Sequence, residues 1–176
     1  TIPNPNAPYA VAKYACEKYL EYANRSKNFP FTAIRQTNTY GRKDNNFFVV
    51  EQIISQMLDN SDEVYLGYDT PYRNFLYIDD LIQLWMLLVE NYDKVNDGSV
   101  FTIGPDNAIS IAELAQLIAN KLNWTGKIHW HKKLKRDGEI WLLNSGNQKI
   151  TERIGWKPTT TLDQGLDKTI QDLKNE

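Results

Sequence analysis

An α/β fold is predicted by two features of the sequence: amphipathic stretches at helical spacing alternate with short apolar runs, and proline or glycine separates them. With 176 residues, the chain is long enough for a sizeable core, and 41% hydrophobic with 24% charged residues is typical of a globular protein. No apolar run reaches the roughly 20 residues that cross a bilayer. We therefore expect one continuous alternation in which helices prevail, with no membrane span.

The first helix is expected to begin near Pro8, because proline suits a first helical turn, and to continue through about Tyr22 on apolar residues at helical spacing. Pro30 stops any helix before residues 31–35, which are typical of a buried strand. The segment after that strand is predicted to be a polar turn that ends at Gly41.

Downstream, Asp79 or Asp80 is predicted to cap a third helix, and Ser110 a fourth, where Glu113 completes a capping box. Gly155 is predicted to stop the helix before it. The same criteria predict helices at about 47–58, 81–90, 147–154 and 162–173, and strands at 64–67, 72–78, 100–103 and 127–130.

Charge and cysteine content narrow the class of protein. A formal net charge of -2 gives no strong field for attracting nucleic acid or an anionic membrane. The local basic run 129–136 fits either a phosphate-bearing ligand or a solvated surface. A lone Cys16 excludes an internal disulfide, and the first eight residues lack the pattern of a secretory signal, so we expect a cytoplasmic location.

Several kinds of catalytic site find no support in the sequence. His129 and His131 alternate on a predicted strand and so face the same side, but no third ligand accompanies them, and no metal site is predicted. Neither a nucleophile-elbow pattern nor a phosphate-binding Walker sequence occurs.

Tyr9 and Lys13 are the candidate catalytic residues. Four residues apart on a helix, they lie on one face, where an ammonium can stabilise the phenolate form of a neighbouring tyrosine, which is otherwise a poor base at neutral pH. Such a phenolate can accept the proton of a substrate hydroxyl. Tyr14 and Lys18 repeat the spacing, but only Tyr9 stands at the mouth of the helix, after a proline and among small residues.

Four ordered motifs carry a family resemblance. Residues 8–17 (PYAVAKYACE) resemble the active-site helix of the extended short-chain dehydrogenase/reductase superfamily, Pro-Tyr-x-x-Ser-Lys-x-x-x-Glu, with Ala12 in the place of the serine. Residues 35–41 are similar to its Arg-x-x-Asn-x-Tyr-Gly turn, 73–80 to Arg-Asp-Phe-x-Tyr-Val-Asp-Asp, and 155–158 to Gly-Trp-x-Pro. The resemblance is to the NAD-dependent nucleotide-sugar epimerases and dehydratases of that superfamily.

The resemblance implies a role for each matching residue. Tyr9 would be the catalytic base and acid, and Lys13 its electrostatic partner; both would contact NAD, Lys13 through a ribose. The implied contacts with the nucleotide-diphosphate sugar are Asn38 near the diphosphate, Val64 and Leu66 against the base, and Arg73 and Arg136 on the diphosphate. For the arginines a surface salt bridge is the alternative role, and for the asparagine a self-satisfied turn.

The resemblance also implies an architecture. The chain would be the carboxyl-terminal part of a Rossmann-like fold with the small substrate-binding domain, lacking the amino-terminal dinucleotide-binding half, since the glycine-rich turn of that half occurs nowhere in the sequence. Residues 1–46 would hold the catalytic helix and final strands of the Rossmann-like domain. Residues 47–176 would form mainly the nucleotide-sugar domain, with segments returning to the first.

The implied activity is that of a fragment of a 4-epimerase or 4,6-dehydratase that acts through a 4-keto-sugar. The fragment alone is expected to be inactive, and to form a homo-oligomer or pair with a missing amino-terminal half, because the faces that such a half covers would be exposed. A non-catalytic nucleotide-sugar-binding or interaction domain derived from the same family is the alternative.

Overall fold

The structure, a computed structural model, describes residues 3–41, 47–60, 62–131 and 140–175. Its helices are α1 (Pro8–Lys27), α2 (Val49–Asp59), α3 (Ile78–Glu90), α4 (Tyr92–Val95), α5 (Ile111–Leu122), α6 (Gln148–Ile154) and α7 (Leu162–Lys174). Its strands are β1 (Phe31–Gln36), β2 (Asn38–Tyr40), β3 (Glu63–Leu66), β4 (Tyr72–Arg73), β5 (Phe75–Tyr77), β6 (Asp97–Ile103), β7 (Ile109–Ser110), β8 (Lys127–Trp130) and β9 (Leu142–Leu143).

The strands pair mostly in parallel. β1 pairs with β6, β2 with β5, and β3 with β8, each in parallel; β4 lies between β9, which is parallel to it, and β7, which is antiparallel. Parallel neighbours need crossover connections, and helices provide them here. The predicted α/β class is therefore confirmed. None of the helices in the described part of the chain has the length and apolar character needed to cross a membrane.

Most predicted elements are present, and the capping box at Ser110 and Glu113 is confirmed. Three predictions of local structure are wrong. The single strand predicted at 72–78 is two strands, β4 and β5, which belong to different sheets. The predicted polar turn before Gly41 contains strand β2. This strand is three residues long and includes the polar Asn38 and Thr39, so its own sequence did not predict it. Neither Asp79 nor Asp80 caps α3; Tyr77 occupies the N-cap without a side-chain bond, and both aspartates lie in the first turn. The short elements α4, β7 and β9 were not predicted.

The buried apolar side chains form two clusters. One joins α2, α5 and α7 to the strands β2, β3 and β5, with Ile53, Leu114 and Leu166 at its centre. The other joins α3 and α6 to β6, around Phe101 and Trp156. The proposed division into residues 1–46 and 47–176 stays a prediction.

Helix α1 packs along β1 and β6 but is mostly open to solvent. Proline stands at its first turn, as predicted, and Asn28 closes it in the left-handed conformation, with φ of 52°. Glu17 is the residue of α1 that is buried. The rest of the helix therefore presents a long exposed surface that begins with Tyr9.

Candidate active site and nucleotide-sugar cavity

The Tyr9 and Lys13 side chains lie together on an exposed face at the start of α1. The Lys13 Nζ atom is 5.8 Å from the centroid of the Tyr9 ring. Tyr9 is 74% exposed, so its hydroxyl is open to an approaching ligand. The predicted geometry, two side chains one helical turn apart on one face, is thus present.

The second pair with the same spacing adopts a similar arrangement but in a different setting. Lys18 Nζ is 5.0 Å from the Tyr14 ring centroid, and it also donates to the Glu21 carboxylate at 2.7 Å, which raises the Lys18 pKa. Tyr14 is half-buried in the middle of the helix. Exposure and position, and not pair geometry, separate Tyr9 from Tyr14.

The first two motifs are joined by an ion pair. Arg35 on β1 donates from Nε to the Glu17 carboxylate at 2.8 Å and from a terminal nitrogen to its other oxygen. This contact raises the pKa of the Arg35 guanidinium. The glutamate that ends the first motif therefore holds the arginine that begins the second.

Strand pairing joins the second motif to the third. β2 and β5 lie side by side with Asn38 opposite Phe75 and Tyr40 opposite Tyr77. The Tyr40 ring is buried against Phe75 and Tyr77, and burial raises the pKa of its hydroxyl. Tyr40 thus packs in the core and is no candidate base at neutral pH.

Buried polar side chains complete this framework, and sequence reasoning missed them. Asn74 is fully buried; its amide donates to the Pro105 carbonyl and to Asn144 Oδ1, both at 2.6 Å, and its oxygen accepts from the Ser145 amide. The sequence did carry a signal for this buried role, because Asn74 stands where the family motif usually has an aspartate.

The buried carboxylate of Asp80 ties the third motif to the fourth. It accepts hydrogen bonds from the Thr159 amide and hydroxyl and from the Thr160 amide, and its backbone carbonyl accepts from the Trp156 indole. The four motifs therefore form one connected scaffold.

Three predicted substrate contacts meet around one open cavity of about 290 Å³. Asn38, Leu66 and Arg73 all line it, from β2, β3 and β4. The other described residues that line it are Thr39, Phe47, Phe48, Val49, Gln52, Gly67, Tyr68, Pro71, Phe75 and Ile111. Arg73 is the charged residue in this described lining, and its guanidinium donates to the Tyr72 carbonyl at 2.8 Å.

Two predicted contacts do not join this group. The Val64 side chain is 0% exposed and packs in the first core cluster, on the same face of β3 as Leu66, and Val64 is not part of the cavity lining. Its contact with the base stays a prediction. Arg136 lies outside the described residues. Tyr9 and Lys13 are not part of the cavity lining either, so the predicted residues form two groups.

The two histidines share one face of the β3–β8 pair, as their alternation predicted. The rings of His129 and His131 stack on Tyr65, with centroids 4.7 and 5.5 Å away. His129 also lies 3.4 Å from Glu63, whose pKa is lowered by the Tyr65 hydroxyl and by His129. Among the side chains that the structure describes, no group of three or more could hold a metal ion.

Comparisons with known proteins agree with this scaffold. The chain matches the family model described as GDP-mannose 4,6 dehydratase over residues 1–169. It is 27% identical over 98% of its length to a putative UDP-glucose 4-epimerase of Methanocaldococcus jannaschii, covering 55% of that protein. It is 32% identical over 94% of its length to a probable GDP-L-fucose synthase 1 of Oryza sativa subsp. japonica, covering 52% of it.

A solved structure shows the same arrangement of elements. The crystal structure of UDP-glucose 4-epimerase with UDP-glucose from Thermotoga maritima superposes with a TM-score of 0.88, at 26% identity, over 99% of this chain and 55% of the other. The chain spans about half the length of the relatives that it matches. It belongs to the GDP-mannose 4,6 dehydratase family, within the extended short-chain dehydrogenase/reductase superfamily of NAD-dependent nucleotide-sugar epimerases and dehydratases.

Proposed function

We propose that this chain supplies the catalytic pair and the nucleotide-sugar site of an NAD-dependent enzyme that acts through a 4-keto-sugar, as a 4-epimerase or a 4,6-dehydratase. One observation carries the proposal: Tyr9 stands exposed with Lys13 on the same face of α1. In support, the same scaffold gathers Asn38, Leu66 and Arg73 around one cavity.

The groups at the start of α1 suit the ribose of a dinucleotide. The Tyr9 hydroxyl both donates and accepts hydrogen bonds, and the Lys13 ammonium has three donors, which match two neighbouring ribose hydroxyls. Both side chains are exposed and free to be approached from one side. Tyr9 and Lys13 would hold the ribose of NAD, which would supply a hydride acceptor for the sugar C4.

Proton transfer falls to Tyr9. Its hydroxyl oxygen, as phenolate, accepts the proton of the sugar 4-hydroxyl while the carbonyl forms at C4. The Lys13 ammonium stabilises that phenolate by its charge, since the two side chains lie within one helical turn of each other. When the carbonyl is reduced again, the Tyr9 hydroxyl returns the proton.

Substrate binding falls to the cavity. Arg73 binds the diphosphate through its forked guanidinium, the Asn38 amide donates to the same group, and Leu66 packs against the nucleoside. Arg136, which the family resemblance implies as a second diphosphate ligand, remains proposed for that role. Bound in this way, the nucleotide holds the sugar in place while its C4 reacts.

Calorimetric titration of this chain with uridine, thymidine, cytidine and guanosine diphosphate sugars tests the binding site. We expect at least one class to bind, and Arg73→Leu to weaken that binding about tenfold or more, the size of a lost charged hydrogen bond. A folded chain that binds none of the four contradicts the proposal.

Turnover tests the catalytic pair, in a protein that joins this chain to a dinucleotide-binding half. Tyr9→Phe should lower kcat by orders of magnitude and leave nucleotide-sugar binding in place. Tyr14→Phe is the matched control, because it removes a hydroxyl from the same helix at the same spacing from a lysine. Full turnover in the Tyr9 variant excludes Tyr9 as the base, and binding without any turnover in the unsubstituted protein favours a non-catalytic binding domain.

A further inference from the structure

The aromatic rings of the cavity differ in how firmly the fold holds them. Phe47 is 95% exposed, so little packing fixes its ring. Phe75 is buried and packs edge-on against Tyr40, which leaves little of it for a ligand. Phe48 is 45% exposed, whereas Tyr68 is half-buried. A ring that is already partly held loses little freedom when a ligand arrives, so Tyr68 is the best prepared of the four for stacking.

Tyr68 is placed by the strand that precedes it. Leu66 ends β3 and lines the cavity, Gly67 follows with open space around its α-carbon, and Tyr68 comes next in the same lining. Arg73 reaches the same cavity from β4, a few residues further on. An aromatic side chain and a guanidinium therefore border a single space, a combination that suits a flat base linked to a diphosphate.

A second ring, that of Trp141, meets Tyr68. The two ring centroids are 6.0 Å apart and the planes are at 82°, an edge-to-face contact. The Trp141 carbonyl accepts from the Tyr72 amide at 2.8 Å, and the next residues form β9, in which Leu143 lies opposite Arg73. The position of Trp141 is thus fixed relative to the strand that carries Arg73.

We propose that Tyr68 stacks on the base of the nucleotide and that Trp141 is a positioning residue that fixes the plane of the Tyr68 ring. This inference rests on the proposed function, because it assigns one part of the same ligand to one part of the same cavity. Every nucleotide base has a flat aromatic face that can stack on a ring, so Tyr68 and Trp141 strengthen the binding of every nucleoside diphosphate. They contribute nothing to the binding of a free diphosphate, which has no base.

The test compares two probes on the whole chain: a nucleoside diphosphate, chosen as the tightest of UDP, dTDP, CDP and GDP, and inorganic pyrophosphate, which has no base. Tyr68→Ala should raise the Kd of the nucleoside diphosphate about 5- to 150-fold, the range for one lost base stack. The Kd of pyrophosphate should not change. Tyr68→Phe, which keeps the ring, should restore most of the affinity.

Tyr65→Ala is the matched control for Tyr68. Tyr65 lies on β3, three residues before Tyr68, and is 49% exposed, but its ring stacks on His129 and does not line the cavity. Its loss should leave both Kd values unchanged.

Trp141→Leu tests the positioning role, with Trp85→Leu as its control. Trp85 is 51% exposed on α3 and Trp141 is 52% exposed, so the two substitutions remove the same side chain at equal exposure. Trp141→Leu should weaken nucleoside diphosphate binding several-fold without affecting pyrophosphate. A merely structural role would weaken both probes and lower the melting temperature.

Three results would overturn the proposal. Equal nucleoside diphosphate affinity in the unsubstituted chain and in Tyr68→Ala overturns it and leaves the proposed function standing. An equal loss of both probes in Tyr68→Ala overturns it as well, because the effect is then not on the base. If the unsubstituted chain binds none of the nucleoside diphosphates, the proposed function fails together with this inference.

Discussion

Arg35 donates two hydrogen bonds to the Glu17 carboxylate, and this ion pair fixes how α1 sits on β1. Glu17 is the buried residue of α1, with the side chain 9% exposed, whereas that of Arg35 is 37% exposed. Tyr9, Lys13 and Glu17 follow one another at four-residue intervals along one stripe of the helix. The ion pair holds Glu17, the buried end of this stripe, against β1. It thereby orients the exposed end, where the candidate catalytic pair lies.

Breaking this ion pair should destabilise the fold. Arg35→Met leaves the Glu17 carboxylate buried without its partner, and we expect a loss of about 2 kcal/mol in the free energy of unfolding, less than for a fully buried pair because Arg35 is partly exposed. Urea unfolding measures the loss. Adding Glu17→Gln should recover part of it, and a double variant less stable than Arg35→Met alone would contradict this account.

The Asp80 carboxylate should matter far more to stability than that of its neighbour. The Asp80 carboxylate accepts from three donors of Thr159 and Thr160, and Asp80→Asn replaces one of its oxygens with a donor group. We expect the free energy of unfolding to fall by about 2–3 kcal/mol. The control is Asp79→Asn, which removes only an exposed 3.4 Å contact with Lys168 and should cost less than about 0.5 kcal/mol. Equal losses in thermal unfolding would show that these bonds do not hold the fourth motif.

Gly165 gives α7 room to approach Tyr40. A Cβ atom at this position would lie 2.0 Å from the Tyr40 hydroxyl oxygen and 3.0 Å from the Tyr77 ring, and neither ring can move freely in the core. Gly165→Ala should therefore destabilise the chain by about 1–3 kcal/mol, although alanine favours helices. Gly146→Ala, where the nearest atom is 4.0 Å away, is the control and should unfold at nearly the same temperature as the unsubstituted chain.

Asp97 makes a pH-dependent contribution to the stability of the fold. Its hydrogen bonds with Ser99, and then its contact with Arg153, lower the pKa of the carboxyl from 3.8 to about 2. The charged form is thus favoured in the folded state, so the stabilisation is complete above about pH 4 and is lost as the pH falls towards 2.

Asp97→Asn tests this contribution. The Asp97 side chain is 51% exposed, so the variant should be less stable by under about 1 kcal/mol at pH 7, and the difference should shrink between pH 4 and pH 2. Urea unfolding across this range measures it, with the exposed Asp93→Asn as control. A difference that grows as the pH falls has the wrong sign for the mechanism.

An exposed apolar stripe on α3 predicts that the chain associates with itself. Four apolar residues of α3 recur at helical spacing, and each is at least half exposed: Ile82, Trp85, Met86 and Val89. An exposed apolar patch of this kind is typical of a surface that contacts another protein. Light scattering should find an oligomer, and Met86→Glu with Val89→Glu should shift it towards the monomer. Gln83→Glu adds charge to the same helix at an exposed position and should not. A monodisperse monomer in the unsubstituted chain refutes the prediction.

Local signals were enough to predict the long elements and to select the candidate catalytic pair, because both depend on residues close together in sequence. The proline at position 8, the four-residue spacing of Tyr9 and Lys13, and the Ser110 capping box were all readable in this way. Strand β2 was missed because its three residues are stabilised by pairing with β5, more than 30 residues away, and not by their own pattern.

Residue type and local spacing were enough to predict the α/β class and the family resemblance, and to select candidates for proton transfer and diphosphate binding. The three-dimensional fold was needed to show that Val64 points into the core and that Asn38, Leu66 and Arg73 share a cavity. It was also needed to show that Glu17, Asn74 and Asp80 join the motifs. Burial and contacts between distant segments depend on how strands register and helices pack, and no short stretch of sequence specifies these.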